Sequence, residues 1–250
     1  MQTIAITQQK GGTGKTTTAA AIGAGLAQRG KSVLFVDLDA QCNLSQITKA
    51  DRGGANALDM LTGKATAEQA ARPLPNIPRA AIIPGTPYLA GTDATITGAR
   101  REYRLSDALD TIADKYDFCI VDTPPALGIL TVNALTAADR VIIPCMADVF
   151  SIHALAQIAA TIAGIRAAAN PRLQIAGVLL TRYTARQVLT RDLAQAIETA
   201  AANIGAHLFK TRIRESVSLR EAQAMCKTIF EYSARSNGAK DYNQLIEEIF

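Results

Sequence analysis

Short apolar segments alternate along this chain with longer, alanine-rich segments. The short segments predict strands at Thr3–Thr7, Ser32–Val36, Ala81–Ile83, Phe118–Val121, Val141–Ile143, Gln174–Leu180 and Ala206–Phe209. The longer segments predict helices at Lys15–Arg29, Leu105–Lys115, Ile152–Ala169, Arg186–Ala202 and Lys240–Ile249. Several strands are apolar at successive positions, which is typical of a parallel sheet covered on both faces. The alternation therefore predicts an α/β fold, doubly wound around a mostly parallel sheet.

Residues 50–104 interrupt this alternation. They concentrate turn-forming residues, namely Gly53, Gly54, Pro73, Pro75, Pro78, Pro84, Gly85, Pro87 and Gly98. Because apolar strands are predicted on both sides, we interpret the segment as a loop-rich excursion and not as a linker. The predicted organisation is one domain spanning residues 1–250.

The first predicted strand runs directly into a glycine-rich loop, which is followed by a helix. Glycines in such a loop aim backbone N–H groups inward, and the helix dipole adds to the attraction for a polyphosphate. An ordinary glycine-rich turn would not explain why Gly14-Lys15-Thr16 stands in register between strand and helix. Lys15 is predicted to reach the β- and γ-phosphates, and the Thr16 hydroxyl to coordinate Mg²⁺. The predicted nucleotide-binding residues are Lys10, Gly11, Gly12, Thr13, Gly14, Lys15, Thr16 and Thr17.

The loop departs from the usual pattern G-x-x-x-x-G-K-[ST] at its start. Gln9 stands at the position of the first glycine, and an additional lysine, Lys10, precedes Gly11 and Gly12. A lysine at this place is drawn to phosphate. Its target is a phosphate of its own nucleotide or, if that nucleotide is already surrounded, of a partner's.

Two later strands end in aspartates. Ser32–Val36 is followed by Asp37 and Asp39, and Phe118–Val121 is followed by Asp122. Carboxylates at the C-terminal ends of parallel strands face the ligand crevice of such sheets. Asp39 is predicted either to orient the attacking water or to hold Mg²⁺, whereas Asp37 can be structural. Asp122 is the second acidic element of a phosphate-loop nucleotidase and is predicted to hold Mg²⁺.

These motifs resemble those of the ParA/MinD family of ATPases. Lys-Gly-Gly-Thr-Gly-Lys-Thr-Thr, residues 10–17, looks like the family's deviant phosphate loop with its second lysine. Residues 37–43 are similar to its Asp-x-Asp-Pro-Gln-Gly-Asn segment, with Ala40 and Cys42 in place of proline and glycine. Residues 122–125 match Asp-Thr-Pro-Pro, and other matches reach residues 236–239. The resemblance covers nearly the full chain and is greatest to short, Soj-like ParA proteins.

The resemblance implies a P-loop ATPase that uses ATP and Mg²⁺ and hydrolyses ATP weakly until a partner stimulates it. In that family two ATP-bound subunits close face to face, and Lys10 would cross to the neighbouring subunit's nucleotide. The implied catalytic residues are Lys10, Lys15 and Asp39, and the implied metal site is Thr16, Asp39 and Asp122. Further implications are nonspecific binding of double-stranded DNA, a ParB-like partner, plasmid or chromosome cargo, and a cytoplasmic, nucleoid-associated location.

Composition narrows the class of protein. With 250 residues, 48% apolar and 19% charged, the chain is long and apolar enough for a large buried core, which argues against disorder. The four cysteines form no CxxC pair, as expected of a reduced cytosolic protein. The N-terminus lacks the pattern of a signal peptide. The uncharged stretch from Val149 to Ile165 contains His153, Gln157 and Thr161, and predicts a buried or half-buried helix, not a membrane span.

Positive charge is concentrated late in the chain. The total is only +4, yet residues 166–227 hold ten basic and four acidic side chains, a net charge of +6. Basic side chains so arranged can neutralise DNA phosphates without reading bases, although each alone could be a solvated helix residue. The predicted DNA contacts are Arg182, Arg186, Arg191, Lys210, Arg212, Arg214 and Arg220. The absence of Trp favours duplex over single strands.

Other functions are weighed against the same residues. No Asn-Lys-x-Asp guanine motif occurs, which favours ATP over GTP. A MinD-like membrane-positioning ATPase would need a basic amphipathic C-terminal helix, whereas the last helix is predicted to expose Asp241, Glu247 and Glu248. An iron–sulfur reductase of the nitrogenase iron-protein kind would need paired cysteines. His153 and His207 are isolated and have no second ligand at metal-site spacing, which argues against metal chemistry beyond Mg²⁺.

Overall fold

The computed structural model describes residues 1–184 and 188–250. Within these residues, seven strands form one sheet: β1 (Gln2–Ile6), β2 (Val33–Asp37), β3 (Arg72–Pro73), β4 (Ala80–Ile83), β5 (Phe118–Asp122), β6 (Arg140–Met146) and β7 (Gln174–Thr181). Their order across the sheet is β3-β4-β2-β5-β1-β6-β7. The β3–β4 pair is antiparallel and the other pairs are parallel. The predicted α/β fold with a mostly parallel sheet is confirmed.

Helices cover both faces of the sheet. They are α1 (Lys15–Gln28), α2 (Asn43–Ile47), α3 (Ala57–Leu61), α4 (Ala67–Ala70), α5 (Arg104–Asp110), α6 (Ile129–Ala137), α7 (Val149–Ala168), α8 (Val188–Asn203), α9 (Val217–Ala224), α10 (Ile229–Ser233) and α11 (Asn237–Ile249). Strand β2 shows why: Leu34 and Val36 enter one apolar core, Val33 and Phe35 the other. Because a strand's side chains alternate between faces, a strand apolar at every position requires cover on both.

One predicted strand is absent. Residues 206–209 form only an isolated bridge, in which Leu208 pairs with Val178 of β7. The backbone of Val178 exchanges hydrogen bonds of 2.9 Å with His207 and Phe209, and the Phe209 ring fills the space beside Gly177. The segment therefore pairs with the edge strand β7 at one residue only and does not continue as a strand of the sheet. Conversely, the structure contains a strand that the sequence did not predict. This strand, β3, is two residues long and contains a proline.

Within residues 50–104 the structure contains short regular elements. Helices α3 and α4 each begin at a capping box, formed by Asn56 with Asp59 and by Thr66 with Gln69. A capping box satisfies two otherwise unpaired N–H groups at the helix start, which stabilises even a single turn. Strand β4 then returns the chain to the sheet beside β2.

The prediction that Asp241 is exposed on the last helix is wrong. Asp241 is 2% exposed, and its carboxylate accepts hydrogen bonds from the guanidinium and backbone N–H of Arg214. A buried carboxylate needs such a charged partner, which no local pattern within α11 reveals.

Helix α7 is one described helix that is long and apolar enough to cross a membrane, by length and composition alone. In this structure Leu155, Ile158 and Ile162 are buried in the core, while His153 and Gln157 are exposed. The helix is thus half-buried against the sheet, as predicted from its polar positions.

Candidate functional site

The phosphate loop joins the end of β1 to the start of α1 at the C-terminal edge of the sheet. Gly12 and Gly14 have φ angles of 75° and 86°, a left-handed conformation that glycine adopts without strain. Gly14 also lacks a capping side chain, so the first N–H groups of α1 remain available to a ligand. A Cβ added at Gly11 or Gly12 would meet no atom within 4 Å. The loop is therefore open towards solvent where a phosphate would approach.

Neighbouring elements hold the loop in shape. The Thr13 carbonyl accepts a 2.9 Å hydrogen bond from the Thr181 hydroxyl at the end of β7. The Lys10 carbonyl accepts from Thr13 Oγ1 at 3.3 Å and from Lys15 Nζ at 3.4 Å. Lys15 is 7% exposed, and burial lowers the pKa of its ammonium, while Asp122 and Asp39 oppose that shift. Lys15 is thus a buried cation beside the loop, and its contact with phosphate stays a prediction.

Asp37 and Asp122 lie side by side because β2 and β5 pair in register at these residues. Both are buried, and burial raises the pKa of Asp122 well above its usual value; the nearby Asp37 adds to the rise. Neither Asp122 carboxylate oxygen has a hydrogen-bond partner among the described residues. The Thr16 hydroxyl lies beside Asp122 and partly offsets the rise in pKa.

This arrangement fits Mg²⁺ bound together with nucleotide phosphates. An unpartnered buried carboxylate next to a hydroxyl supplies hard oxygen donors, and Mg²⁺ in nucleotide sites uses one or two such groups plus phosphate oxygens and water. Among the described residues no group of three or more His, Cys, Asp or Glu forms a complete cage. Thr16 and Asp122 would hold the ion, which would supply positive charge to neutralise the phosphates.

The Asp39 loop is supported by a buried network around Asp37. The Asp37 carboxylate accepts hydrogen bonds from Ser45 N at 2.8 Å, Ser45 Oγ at 2.6 Å and Asp39 N at 3.1 Å. Ser45 Oγ in turn accepts from Gly85 N at 2.9 Å. Burial raises the pKa of Asp37 to about 6, although the Ser45 bonds oppose this. Asp37 therefore shapes the loop, whereas Asp39, 9% exposed, borders the cavity described below.

Cys42 keeps the loop in a glycine-like conformation. Its φ angle is 53°, in the left-handed region that non-glycine residues seldom adopt. Its Sγ donates to the Ala40 carbonyl at 3.4 Å, and Cys42 N donates to the Asp39 carbonyl at 2.9 Å. Cys42, which stands where the family segment has glycine, therefore adopts the left-handed conformation that a glycine would, and the chain makes a tight turn immediately after Asp39.

Lys10 points away from the interior of its own loop. Its ammonium pairs with Asp148, which caps the N-terminus of α7 by accepting from Ser151 N at 2.8 Å. The Phe150 ring, 73% exposed, lies 5.7 Å from the Lys10 ammonium. Sequence reasoning singled out Lys10 but missed Asp148 and Phe150, because neither carries a motif and both are distant in the chain.

A cavity of about 590 Å³ opens beside the phosphate loop. Its lining includes Lys15, Thr16 and Asp39 from the first part of the chain. It also includes residues from the last third, namely Thr181, Arg182, Glu215, Leu219, Arg220, Gln223 and Tyr242. Gln223 donates a hydrogen bond to the Thr17 hydroxyl and so ties α9 to α1. The volume of the cavity is typical of a small-molecule pocket. The lining residues from the last third of the chain are far from the phosphate loop in sequence, and no phosphate-loop motif identifies them.

The predicted DNA-contact residues are not one open patch. Arg182, Arg214 and Arg220 line the cavity. Arg214 is held by Asp241, and Arg212 lies 4.6 Å from the Tyr183 ring and donates to its hydroxyl at 2.6 Å. Arg191 and Lys210 are exposed, and the described part of the chain offers them no ion pair. Arg186 lies outside the described residues.

Replacing Asp122 by asparagine should stabilise the nucleotide-free protein and weaken Mg²⁺-dependent ATP binding. The free energy of unfolding is expected to rise by about 1 kcal/mol, since a buried charge is removed at a functional position. Because the folded pKa of Asp122 is raised, its destabilising effect is present at high pH and disappears as pH falls. Denaturation in EDTA at several pH values measures the free energy of unfolding and its dependence on pH. Asp114→Asn, at an exposed position, is the control. An asparagine variant that unfolds more easily at neutral pH would contradict the expectation.

Comparison with known proteins adds to this geometry. A family model described as an AAA domain matches residues 1–175. The chain is 39% identical to the sporulation initiation inhibitor protein Soj of Bacillus subtilis, covering 98% of this chain and 97% of that protein. It is 36% identical to the chromosome partitioning protein ParA of Caulobacter vibrioides, covering 100% of this chain and 94% of that protein.

A solved structure agrees over the whole fold. Cobyrinic acid a,c-diamide synthase from Mycobacterium smegmatis, with bound ADP and magnesium, has a TM-score of 0.85 and 30% identity to this chain. The match covers 99% of this chain and 93% of that one, and the same synthase is also solved with an ATP analogue and magnesium. With the phosphate loop, the paired carboxylates and the full-length relatives together, this chain belongs to the ParA family of partition ATPases, and its ligands are ATP and Mg²⁺.

Proposed function

We propose that this partition ATPase closes as a face-to-face homodimer when it binds ATP, and that the dimer binds double-stranded DNA without sequence preference. A ParB-like partner on plasmid or chromosome cargo stimulates slow hydrolysis, which returns the dimer to monomers and releases DNA. The protein acts in the cytoplasm on the nucleoid, and no membrane contact is part of the proposal. Its 250 residues act as one ATPase domain, which the single continuous sheet supports.

The position of Lys10 carries the proposal of a dimer. A lysine that served its own nucleotide would point into its loop, whereas this ammonium pairs with Asp148 beside the exposed Phe150. From there a shift of one side chain would bring it to a phosphate of a facing subunit. The resemblance to ParA proteins supports the same role.

Each remaining role follows from charge and position. Lys15 and the N–H groups of the phosphate loop neutralise the phosphates, Thr16 and Asp122 hold Mg²⁺, and Asp39 orients the attacking water. Asp39 is the weaker candidate for direct metal contact, since its Oδ1 accepts from Gln41 N at 3.0 Å. Phosphoryl transfer needs mainly positioning and charge stabilisation, which these groups supply.

DNA binding measured with and without ATP, over a salt series, tests the proposal. We expect tight binding of an arbitrary duplex only with ATP and Mg²⁺, with an affinity that falls steeply as salt increases because phosphate contacts release counterions. ADP serves as the control nucleotide. Absent or salt-insensitive binding, by protein that does bind ATP, would show that DNA is not the partner.

A further inference from the structure

Glu215 lies between two of the arginines predicted to contact DNA. Its Oε2 accepts from Arg182 Nε at 2.8 Å, and its Oε1 lies 3.8 Å from Arg220 Nε. The three side chains are partly exposed, at 32% for Glu215, 52% for Arg182 and 64% for Arg220. One carboxylate thus offsets the charge of two surface guanidinium groups.

The backbone brings these groups together. Tyr183 N donates to the Ile213 carbonyl at 3.0 Å, and Glu215 N donates to the Tyr183 carbonyl at 3.2 Å. Residues 213–215 therefore run parallel to the chain after β7, which places Glu215 next to Arg182. Arg182 has a φ angle of 52°, a left-handed conformation that costs energy for a side chain of this kind. Their proximity is thus set by the backbone and does not depend on long side chains meeting by chance.

The same three residues line the nucleotide cavity. Glu215, Arg182 and Arg220 line the same cavity as Lys15, and Gln223 on α9 is hydrogen-bonded to Thr17 of α1. A nucleotide filling the cavity therefore changes the surroundings of Glu215. Its ribose hydroxyls are donors that a carboxylate binds readily, as in dinucleotide sites.

A DNA phosphate and the Glu215 carboxylate are alternative partners for the same guanidinium groups, since arginine binds both through the same donors. An exposed ion pair is only weakly stabilising, so a phosphate can replace the carboxylate at little cost. We propose that Glu215 masks Arg182 and Arg220 from DNA in the nucleotide-free protein, and that bound nucleotide draws Glu215 away and frees them. This inference rests on the proposed DNA binding and adds its regulation.

The test compares Glu215→Gln with the natural protein by fluorescence anisotropy on a labelled duplex of arbitrary sequence. Without nucleotide, the variant should bind about tenfold more tightly, with a salt slope steeper by up to about 2, or roughly 0.9 for each freed arginine. Consequently, the ratio of affinities with and without ATP should shrink. Adding Arg182→Gln and Arg220→Gln to the variant should remove the gain.

Glu221→Gln is the matched control. It makes the same change of charge on α9, but Glu221 accepts from the Tyr232 hydroxyl at 3.0 Å and has no ion pair within the described residues. An equal gain for Glu221→Gln, or no gain for Glu215→Gln, would overturn the masking role. So would a large gain in ATP affinity for Glu215→Gln without a gain for DNA, because the arginines would then serve the nucleotide.

The proposed function fails by a different result. If the natural protein binds ATP but not DNA, ATP-dependent DNA binding is wrong. Glu215→Gln then decides the rest: nucleotide-free binding by this variant still supports masking, and its absence rejects both proposals.

Discussion

Replacing Lys15 by glutamine is expected to lower the affinity for ATP at least about 100-fold, which corresponds to roughly 2.7 kcal/mol. Lys15 is a buried cation beside Asp122 and Asp39, and both carboxylates favour its charged form. Without it, incoming phosphates would meet two acidic groups and no buried positive charge in a medium of low polarity, where repulsion is strong. Binding of a fluorescent ATP analogue in the presence of Mg²⁺ measures the loss.

Folding is not expected to suffer in this variant. Burial lowers the pKa of Lys15, so removing its charge relieves a desolvation cost in the nucleotide-free protein. Thermal unfolding without nucleotide should therefore be unchanged or slightly higher. Lys31→Gln, an exposed lysine past the far end of α1, is the matched control and should bind ATP normally. If Lys15→Gln binds and hydrolyses ATP like the natural protein, the assignment of the phosphate site is wrong.

Replacing Asp39 by alanine should preserve ATP binding, reduce hydrolysis about 100-fold or more and trap the ATP-bound dimer. Removing a group that positions or activates the attacking water typically costs this much. The Asp37–Ser45–Gly85 network lies behind Asp39 and is untouched, so the loop should keep its shape. Phosphate release and light scattering after size exclusion, both with ATP and Mg²⁺, measure turnover and mass.

The same variant separates the two roles open to Asp39. If Asp39 held Mg²⁺ directly, the Mg²⁺-dependent affinity for ATP would fall together with turnover, whereas a water-orienting residue affects turnover alone. Asp114→Ala, at an exposed position before the N-terminal end of β5, should behave like the natural protein. A monomeric Asp39→Ala protein with bound ATP would exclude the proposed switch between monomer and dimer.

Local patterns were sufficient for the phosphate site. The loop needs glycine at positions of positive φ, a lysine and a hydroxyl, and all of these are consecutive in residues 11–17. Asp37 and Asp122 were predictable for a related reason: each ends an apolar strand, and neighbouring parallel strands present their C-terminal ends at one edge. The pattern did not show which of these aspartates is structural. That depends on burial and on the hydrogen bonds from Ser45 to Asp37.

The surface charges were harder to assign. Seven basic residues looked like one patch along the chain, and counting charge could not show that Asp241 is buried against Arg214 or that Glu215 lies between Arg182 and Arg220. Each of these pairs joins residues from different elements. An ion pair of this kind depends on where the elements lie in space, so net charge over a stretch of sequence overstates the charge available to DNA.

By itself the sequence determined the doubly wound sheet, the phosphate loop and the aspartates that face it, because these depend on side-chain periodicity and on residues a few positions apart. Only the tertiary structure decided which distant residues line the cavity beside the phosphate loop, that Lys10 pairs with Asp148, and that Glu215 lies between Arg182 and Arg220. The physical reason is distance along the chain: Lys10 and Asp148 are 138 residues apart, and Thr17 and Gln223 are 206 apart. Contacts of this kind are created by the order of strands in the sheet, and a local sequence pattern cannot predict them.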